Sequence, residues 1–403
     1  MRFQPNDETP EEKPIEQQMS KPQEWTWGNP KQVYTKEYID AGDNRFMINA
    51  SESEPLSSDL NFNNSDGEYM LKFLTFNSTT FQNTPKENLP KGWNFQQIIE
   101  EGRSIGQNSD RMHEMGYTGK GISVAVIDSP IILHDDLKSS LISYNRMPNV
   151  KQNNPSANFH GQATSDILVG DKDGVAPDAN LHYYAGSGIN GDKTGKSQKD
   201  DFLNALNNII EHNSKCDPKD KINVVSLSWG INKGEYRFDE YKQMLKTLYD
   251  DGVFVACDGM SMIDESITGE NFGYNVLEKK VQTKPQNDFS NYVASWNVCK
   301  NPERTLCVLS GDRTVASAIN PTKYRHDSSS STSWAVPALA GIYTCAMQCA
   351  QENGIELTPK LFWEYALKTG VPVNDEQGNF AGKAIDCEAL CKYIETKASN
   401  QIK

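Results

Sequence analysis

The run GISVAVID, residues 121–128, is apolar at nearly every position and stops on a carboxylate. A strand with one face in water alternates apolar and polar side chains. A strand covered on both faces reads as a near-continuous apolar run, and GISVAVID is of that kind. LHYYAG (181–186), INVVSLSWG (222–230) and GVFVACDG (252–259) read the same way. Between them lie the helical patterns DDFLNALNNIIEHN (200–213) and FDEYKQMLKTLYDD (238–251). Strand, helix, strand in this order predicts a parallel sheet with right-handed crossovers, an α/β fold. Ligand chemistry in such sheets gathers beyond the carboxyl ends of the strands. Asp128 and Asp258 both sit where an apolar strand stops.

At 403 residues and 36% hydrophobic content the chain can bury a sizeable core, as one large domain with an extension. Residues 1–30 are rich in Pro, Glu, Gln and Lys and read as disordered. Residues 31–106 form an N-terminal extension, either a prosegment or a regulatory arm. It is polar and Asn- and Ser-rich to about residue 95, with one strand at YMLKFLTF (69–76). FQQIIEEG and SDRMHEMGY then read as short helices leading into a main domain over 107–403. The net charge of −14 argues against nucleic acid or an anionic membrane as the main partner. MRFQPNDETPEEKPIEQQ has no basic segment followed by an apolar one, and no run approaches the roughly 18 apolar residues of a membrane span. The expected location is cytoplasmic, with export by a non-standard route as the alternative.

Two pairs of the eight cysteines are spaced CxxxC, in CAMQC (345–349) and CEALC (387–391). On helices each pair shares a face, and together they could form a four-thiolate zinc site. The spacing is looser than the CxxC of such sites, and the competing reading is buried free thiols in a reducing compartment. No Asp/Asn/Gly spacing reads as a calcium loop, so neither metal nor cofactor is expected.

The stretch SSSSTSWAVPALAG (328–341) passes from a polar loop straight into an apolar helix pattern. If the helix starts near Ser333, Pro337 falls close to the last position where a missing N–H is harmless. Ser333 then stands at a helix N-terminus, where free N–H groups and the dipole favour developing negative charge. A serine hydroxyl becomes a nucleophile only with a base and an orienting group beside it. His160, in NFHGQATSDILVG, and Asp128 are the candidates for those roles, although each alone reads equally well as a helix-start or turn residue. His113, His134, His182, His212 and His326 read as structural, His326 as a loop residue.

These segments resemble the subtilisin-like serine proteases, or subtilases (peptidase S8). VAVIDSPIILHDDL is similar to their aspartate motif, and HGQATSDILVG followed by GVAPDANLHYY to their histidine motif. VVSLSWG is similar to the strand lining their substrate cleft, and STSWAVPALAG to the serine motif GTSMAAPHVAG. The resemblance covers roughly residues 107–372 in the order Asp, His, Ser given by this family. GYTGKGISVAVIDSPI, with Pro where many relatives have Gly, is nearest to a bacterial subgroup without a secretion signal.

The resemblance implies a three-layer α/β fold, a mostly parallel twisted sheet with helices on both faces. It also implies a serine endopeptidase acting on peptides or proteins. Ser333 would be nucleophile, His160 base and Asp128 its orienting acid. Ser228, Trp229 and Gly230 would form the edge along which an extended substrate pairs. Three positions depart from the pattern. Asp258, in VACDGM, stands where the family has its oxyanion Asn, and a carboxylate only accepts hydrogen bonds. Ser331 replaces a Gly that suggests unusual backbone angles or close approach to substrate. Trp334 replaces a Met. The alternative these departures raise is a weak or inactive pseudoprotease that binds a peptide or partner.

Overall fold

The computed structural model describes residues 15–19, 48–49, 62–63, 71, 74–150, 159–187, 194–258, 267, 271–296, 301–328 and 330–401. The expectation of disorder over 1–30 therefore falls, apart from 15–19, outside the described residues, as do Cys299, Ser329 and much of the extension before residue 74.

In chain order the strands are β1 (Ile48–Asn49), β2 (Leu74–Phe76), β3 (Ser123–Asp128), β4 (Leu141–Arg146), β5 (Asn180–Ala185), β6 (Ile222–Leu227) and β7 (Phe254–Cys257). They continue as β8 (Gly273–Lys279), β9 (Tyr292–Trp296), β10 (Thr305–Leu309), β11 (Arg313–Ala316), β12 (Tyr324–Asp327), β13 (Val371–Asn374) and β14 (Phe380–Ala384). After a short turn of helix at Ile15–Gln18, the helices used below are α1 (Phe95–Glu101), α2 (Ser109–Glu114), α3 (Phe159–Val169), α4 (Lys196–Lys215) and α5 (Phe238–Asp250). The last are α6 (Thr332–Glu352), α7 (Pro359–Thr369) and α8 (Cys387–Gln401).

The four apolar runs become β3, β5, β6 and β7 of one sheet, ordered β4-β5-β3-β6-β7 and parallel throughout. β3 lies at its centre and is buried along its whole length, which is why it carries no polar alternation. α3 and α6 pack on each other and on the sheet; α4 and α5 pair with each other against β6 and β7. The result is the expected three-layer α/β arrangement. The amphipathic helices show their single stripe: Phe202, Leu203, Leu206 and Ile209 on α4, and Tyr241, Leu245 and Leu248 on α5. By contrast α6 is buried on every side over most of its length, as its Ala-rich sequence requires. Its Tyr343 ring stacks on Phe254 of β7 at 4.1 Å. Gly341 lets it press against Val175, where a Cβ would lie 2.5 Å from the valine's own.

Two further mixed sheets complete the fold, one of five strands ordered β13-β14-β10-β8-β9 and one of four ordered β1-β2-β12-β11. In the second, β2 from the extension pairs antiparallel with β12. The extension residues Phe62, Leu71, Phe76, Phe81, Leu89 and Ile98 form a separate apolar cluster above it. His326, expected in a loop, is instead a fully buried residue of β12. KYRHD is held as a strand because β11 and β2 pair with its two edges. The His326 ring packs 4.8 Å from Phe76, and Nδ1 lies 3.1 Å from Thr314 Oγ1. Among the described residues no helix is long and apolar enough to cross a membrane.

Candidate active site

The site lies beyond the carboxyl ends of β3, β6 and β7, where α3 and α6 begin. Asp128 is the last residue of β3, and its carboxylate is fully buried. Oδ1 accepts from Ser129 N–H at 2.7 Å and from Ser129 Oγ at 3.0 Å. Oδ2 accepts from Thr164 Oγ1 at 3.1 Å. His160 Nδ1 lies 3.0 Å from Oδ1 and 2.9 Å from Oδ2. Burial alone would raise the Asp128 pKa. The His160 imidazole and the Ser129 donors outweigh that and hold it below the ordinary carboxylate range. Because a carboxylate can only accept, Nδ1 carries the proton and Nε2 is the basic nitrogen of neutral His160.

His160 and Thr164 are four residues apart on α3, so one helix face delivers both to the carboxylate. Gly161 makes that approach possible. A Cβ there would lie 2.3 Å from Ser129 O and 2.5 Å from Tyr183 Oη. The His160 ring is flanked by Trp229, 4.9 Å away, and Trp334, 5.4 Å away. Its side chain keeps 13% exposure, enough to be reached from the cleft.

Ser333 is the second residue of α6 and is half-buried. The helix starts at Thr332 with Ser331 as N-cap, so Pro337 lies inside it and not in the first turn. A proline there cannot donate to the carbonyl four residues back. The Ser228 hydroxyl replaces the lost donor, reaching Ser333 O at 2.8 Å. Ser228 thus ties the end of β6 to the serine, and Trp229, next in sequence, covers His160. The indole Nε1 of Trp229 is buried without a partner, and Gly230 follows it, half-buried.

Asp258 follows β7, with its N–H on Leu227 O at 3.2 Å and Oδ2 accepting from Thr332 Oγ1 at 2.9 Å. Ser331 has ordinary extended angles, φ −156° and ψ 146°, so its backbone bears none of the strain expected where a Gly is replaced. Its effect lies in the side chain, whose Oγ accepts from Ser333 N–H at 3.1 Å. The described contacts therefore bond Asp128 to His160, bring Trp334 against the imidazole, and link Ser228 and Asp258 to the first turn of α6.

Sequence reasoning missed Thr164, whose spacing from His160 was the available signal. It also missed a buried cluster of Asp136, Asp166 and Asp173, whose oxygens lie within 4.8 Å of one another. Asp166 was visible as a carboxylate inside an apolar helix pattern. Arg103 meets Asp173 at 2.5 Å, and buried Arg313 donates to Asp173 O at 2.8 Å. Tyr324 Oη donates to Asp136 at 2.7 Å, and Ala316 N–H to Asp166 at 2.7 Å. Burial and the neighbouring carboxylates push Asp166 well above its ordinary pKa. Burial, opposed by Arg103, raises Asp173 to about 7. Arg103 pairs with the Asp173 carboxylate, and Arg313, Tyr324 and Ala316 hold the rest of the cluster by hydrogen bonds. Cys345 and Cys349 on α6 and Cys387 and Cys391 on α8 are buried. Among the described residues their sulfurs do not converge as the aspartates do.

A model of the subtilase family, peptidase S8, matches residues 119–371. Serine protease AprX of Bacillus subtilis (strain 168) is 28% identical over 138 residues, 32% of this chain and 30% of that protein's length. Among solved structures, the prenylagaramide maturation protease PagA superposes with a TM-score of 0.52 at 16% identity, over 71% of this chain and 98% of PagA. Fervidolysin from Fervidobacterium pennivorans, a keratinolytic enzyme related to subtilisin, gives 0.51 at 15% identity, over 71% of this chain and 45% of its own. These two share the fold. With more than half its length matched by the family model, the chain belongs to the subtilase family.

Proposed function

We propose that the protein is a serine endopeptidase using Ser333, His160 and Asp128. The observation that carries this reading is the buried Asp128 carboxylate bonded to His160 Nδ1 at 2.9 Å, beside the mouth of α6. Ser333 Oγ attacks the scissile carbonyl while His160 Nε2 takes its proton. His160 then protonates the leaving amine, and water releases the acyl group by the reverse proton path. Asp128 keeps the imidazole in the tautomer this requires. The Ser333 N–H serves the oxyanion, with Asp258 at the opposite position. Ser228, Trp229 and Gly230 supply the edge on which an extended peptide or protein substrate lies. The extension serves as a prosegment or a regulatory arm; what supports a role at the site is Thr75 Oγ1, which donates to Asp327 Oδ1 at 2.6 Å just ahead of the serine loop.

A second reading, a pseudoprotease that binds a peptide without cutting it, is favoured by the Asp258 carboxylate at the oxyanion position. One experiment separates them. A fluorophosphonate probe is expected to label the wild type and not Ser333→Ala. Absence of labelling of folded wild type across pH 5 to 9, with peptide binding retained, would establish the second reading.

A further inference from the structure

We infer that Ser331 is a built-in competitor of the substrate oxyanion, so that each turnover must first displace its hydroxyl from the Ser333 N–H. The inference rests on the proposed serine-protease reading and adds a brake to it. An N-cap serine satisfies a helix by accepting a hydrogen bond from the second or third N–H. Here the N–H so satisfied belongs to Ser333 itself, donating to Ser331 Oγ at 3.1 Å. An oxyanion needs that same donor at about 2.7–3.1 Å. One N–H cannot serve two acceptors at full strength, so cap and transition state exclude each other.

The surrounding contacts hold the cap in place. Ser331 N–H donates to Ser310 Oγ at 3.1 Å, which fixes the backbone before the helix. Thr332 Oγ1 is engaged by Asp258 Oδ2 at 2.9 Å, and the Ser330 hydroxyl by Glu278. With the chain pinned on both sides, the freedom left to Ser331 is rotation about χ1. Release of the donor is therefore a side-chain event, not a loop opening.

The test uses the full chain with Ser331→Ala and Ser331→Gly. Each removes the competing oxygen, and glycine is itself a tolerated N-cap, so it keeps the helix start where alanine weakens it. Rate constants for fluorophosphonate labelling of Ser333 are measured with kcat and KM on a peptide substrate and with thermal melts. The expected result is a kcat about two- to thirty-fold higher, the worth of a cap converted to rate, with KM unchanged and labelling faster in step. Ser331→Ala melts at lower temperature while turning over faster, a combination that a purely structural role does not produce. Variants that are labelled at Ser333 but turn over no faster than wild type overturn the inference and leave the protease reading standing. If neither wild type nor variants are labelled, the protease reading falls and the inference with it. Labelling of the variants but not of wild type supports the brake in its strongest form.

Discussion

Replacing Asp128 by asparagine keeps the shape of the side chain and exchanges one acceptor oxygen for a donor. In the wild type every group facing this carboxylate donates to it: Ser129 N–H, Ser129 Oγ, Thr164 Oγ1 and His160 Nδ1. If the asparagine oxygen keeps the shortest bond, 2.7 Å to Ser129 N–H, its NH₂ takes the place of Oδ2. There it confronts Nδ1 at 2.9 Å and the Thr164 hydroxyl at 3.1 Å. The hydroxyl can rotate to accept, but His160 can accept only by moving its proton to Nε2. That is the tautomer that cannot receive a proton from Ser333. The expected loss in kcat is about 10⁴-fold, or about 5.4 kcal/mol of transition-state stabilisation. The fold should lose roughly 1–3 kcal/mol for the mismatched buried bonds. The pH dependence carries a second signature. The wild-type carboxyl titrates below its unfolded value, so its contribution is present above the ordinary carboxylate range and is lost as pH falls below that range. Asp128→Asn should lack that acid-side loss. Turnover of a peptide substrate, fluorophosphonate labelling and urea melts at neutral and acid pH measure all three effects. A folded variant with kcat within about tenfold of wild type would refute the orienting role of Asp128.

Asp258→Asn should raise kcat by up to about 10²- to 10³-fold. Thr332 Oγ1, now 2.9 Å from Oδ2, can hold the amide oxygen and turn its NH₂ toward the cleft. Unchanged or lower single-turnover rates would place the second oxyanion donor elsewhere. Asp173 predicts an opposite slope between the ordinary carboxylate range and neutrality. Its folded carboxyl keeps a proton up to about 7, while the unfolded one releases it near about 4. The folded chain therefore binds the extra proton between those values, and stability falls as pH rises through that window. Asp173→Asn should flatten the fall between about pH 4 and pH 7 in urea melts. An unchanged slope would mean that Arg103 and Arg313 compensate the charge fully.

The parallel sheet was readable because burial on both faces leaves a composition signal, and β3, β5, β6 and β7 all carry it. The ends of those strands then indicated where Asp128 and Asp258 would lie. Periodicity placed α4 and α5, whose polar faces meet water. What stayed hidden depends on partners distant in sequence. KYRHD has no strand signature of its own and becomes β12 through pairing with β11 and β2. Pro337 read as a helix-start residue because nothing local announces that Ser228, 105 positions away, will satisfy Ser333 O. Ser331 drew notice as a replacement for glycine, yet its backbone is unstrained. Its consequence is a hydrogen bond that only the cap geometry reveals.

The pairing of β2 with β12 also bears on the order in which the molecule comes together. Thr75 and Asp327 meet across 252 positions, and such distant contacts form late because the loop between them must be closed first. The Asp128–His160 pair spans 32 positions, with β4 as the one strand between β3 and α3. During synthesis the Asp128–His160 pair can thus be assembled while the loop before α6 still lacks its anchor. On the proposed triad, Ser333 is made 173 residues after His160, so a partly made chain would hold the Asp128–His160 pair without its serine.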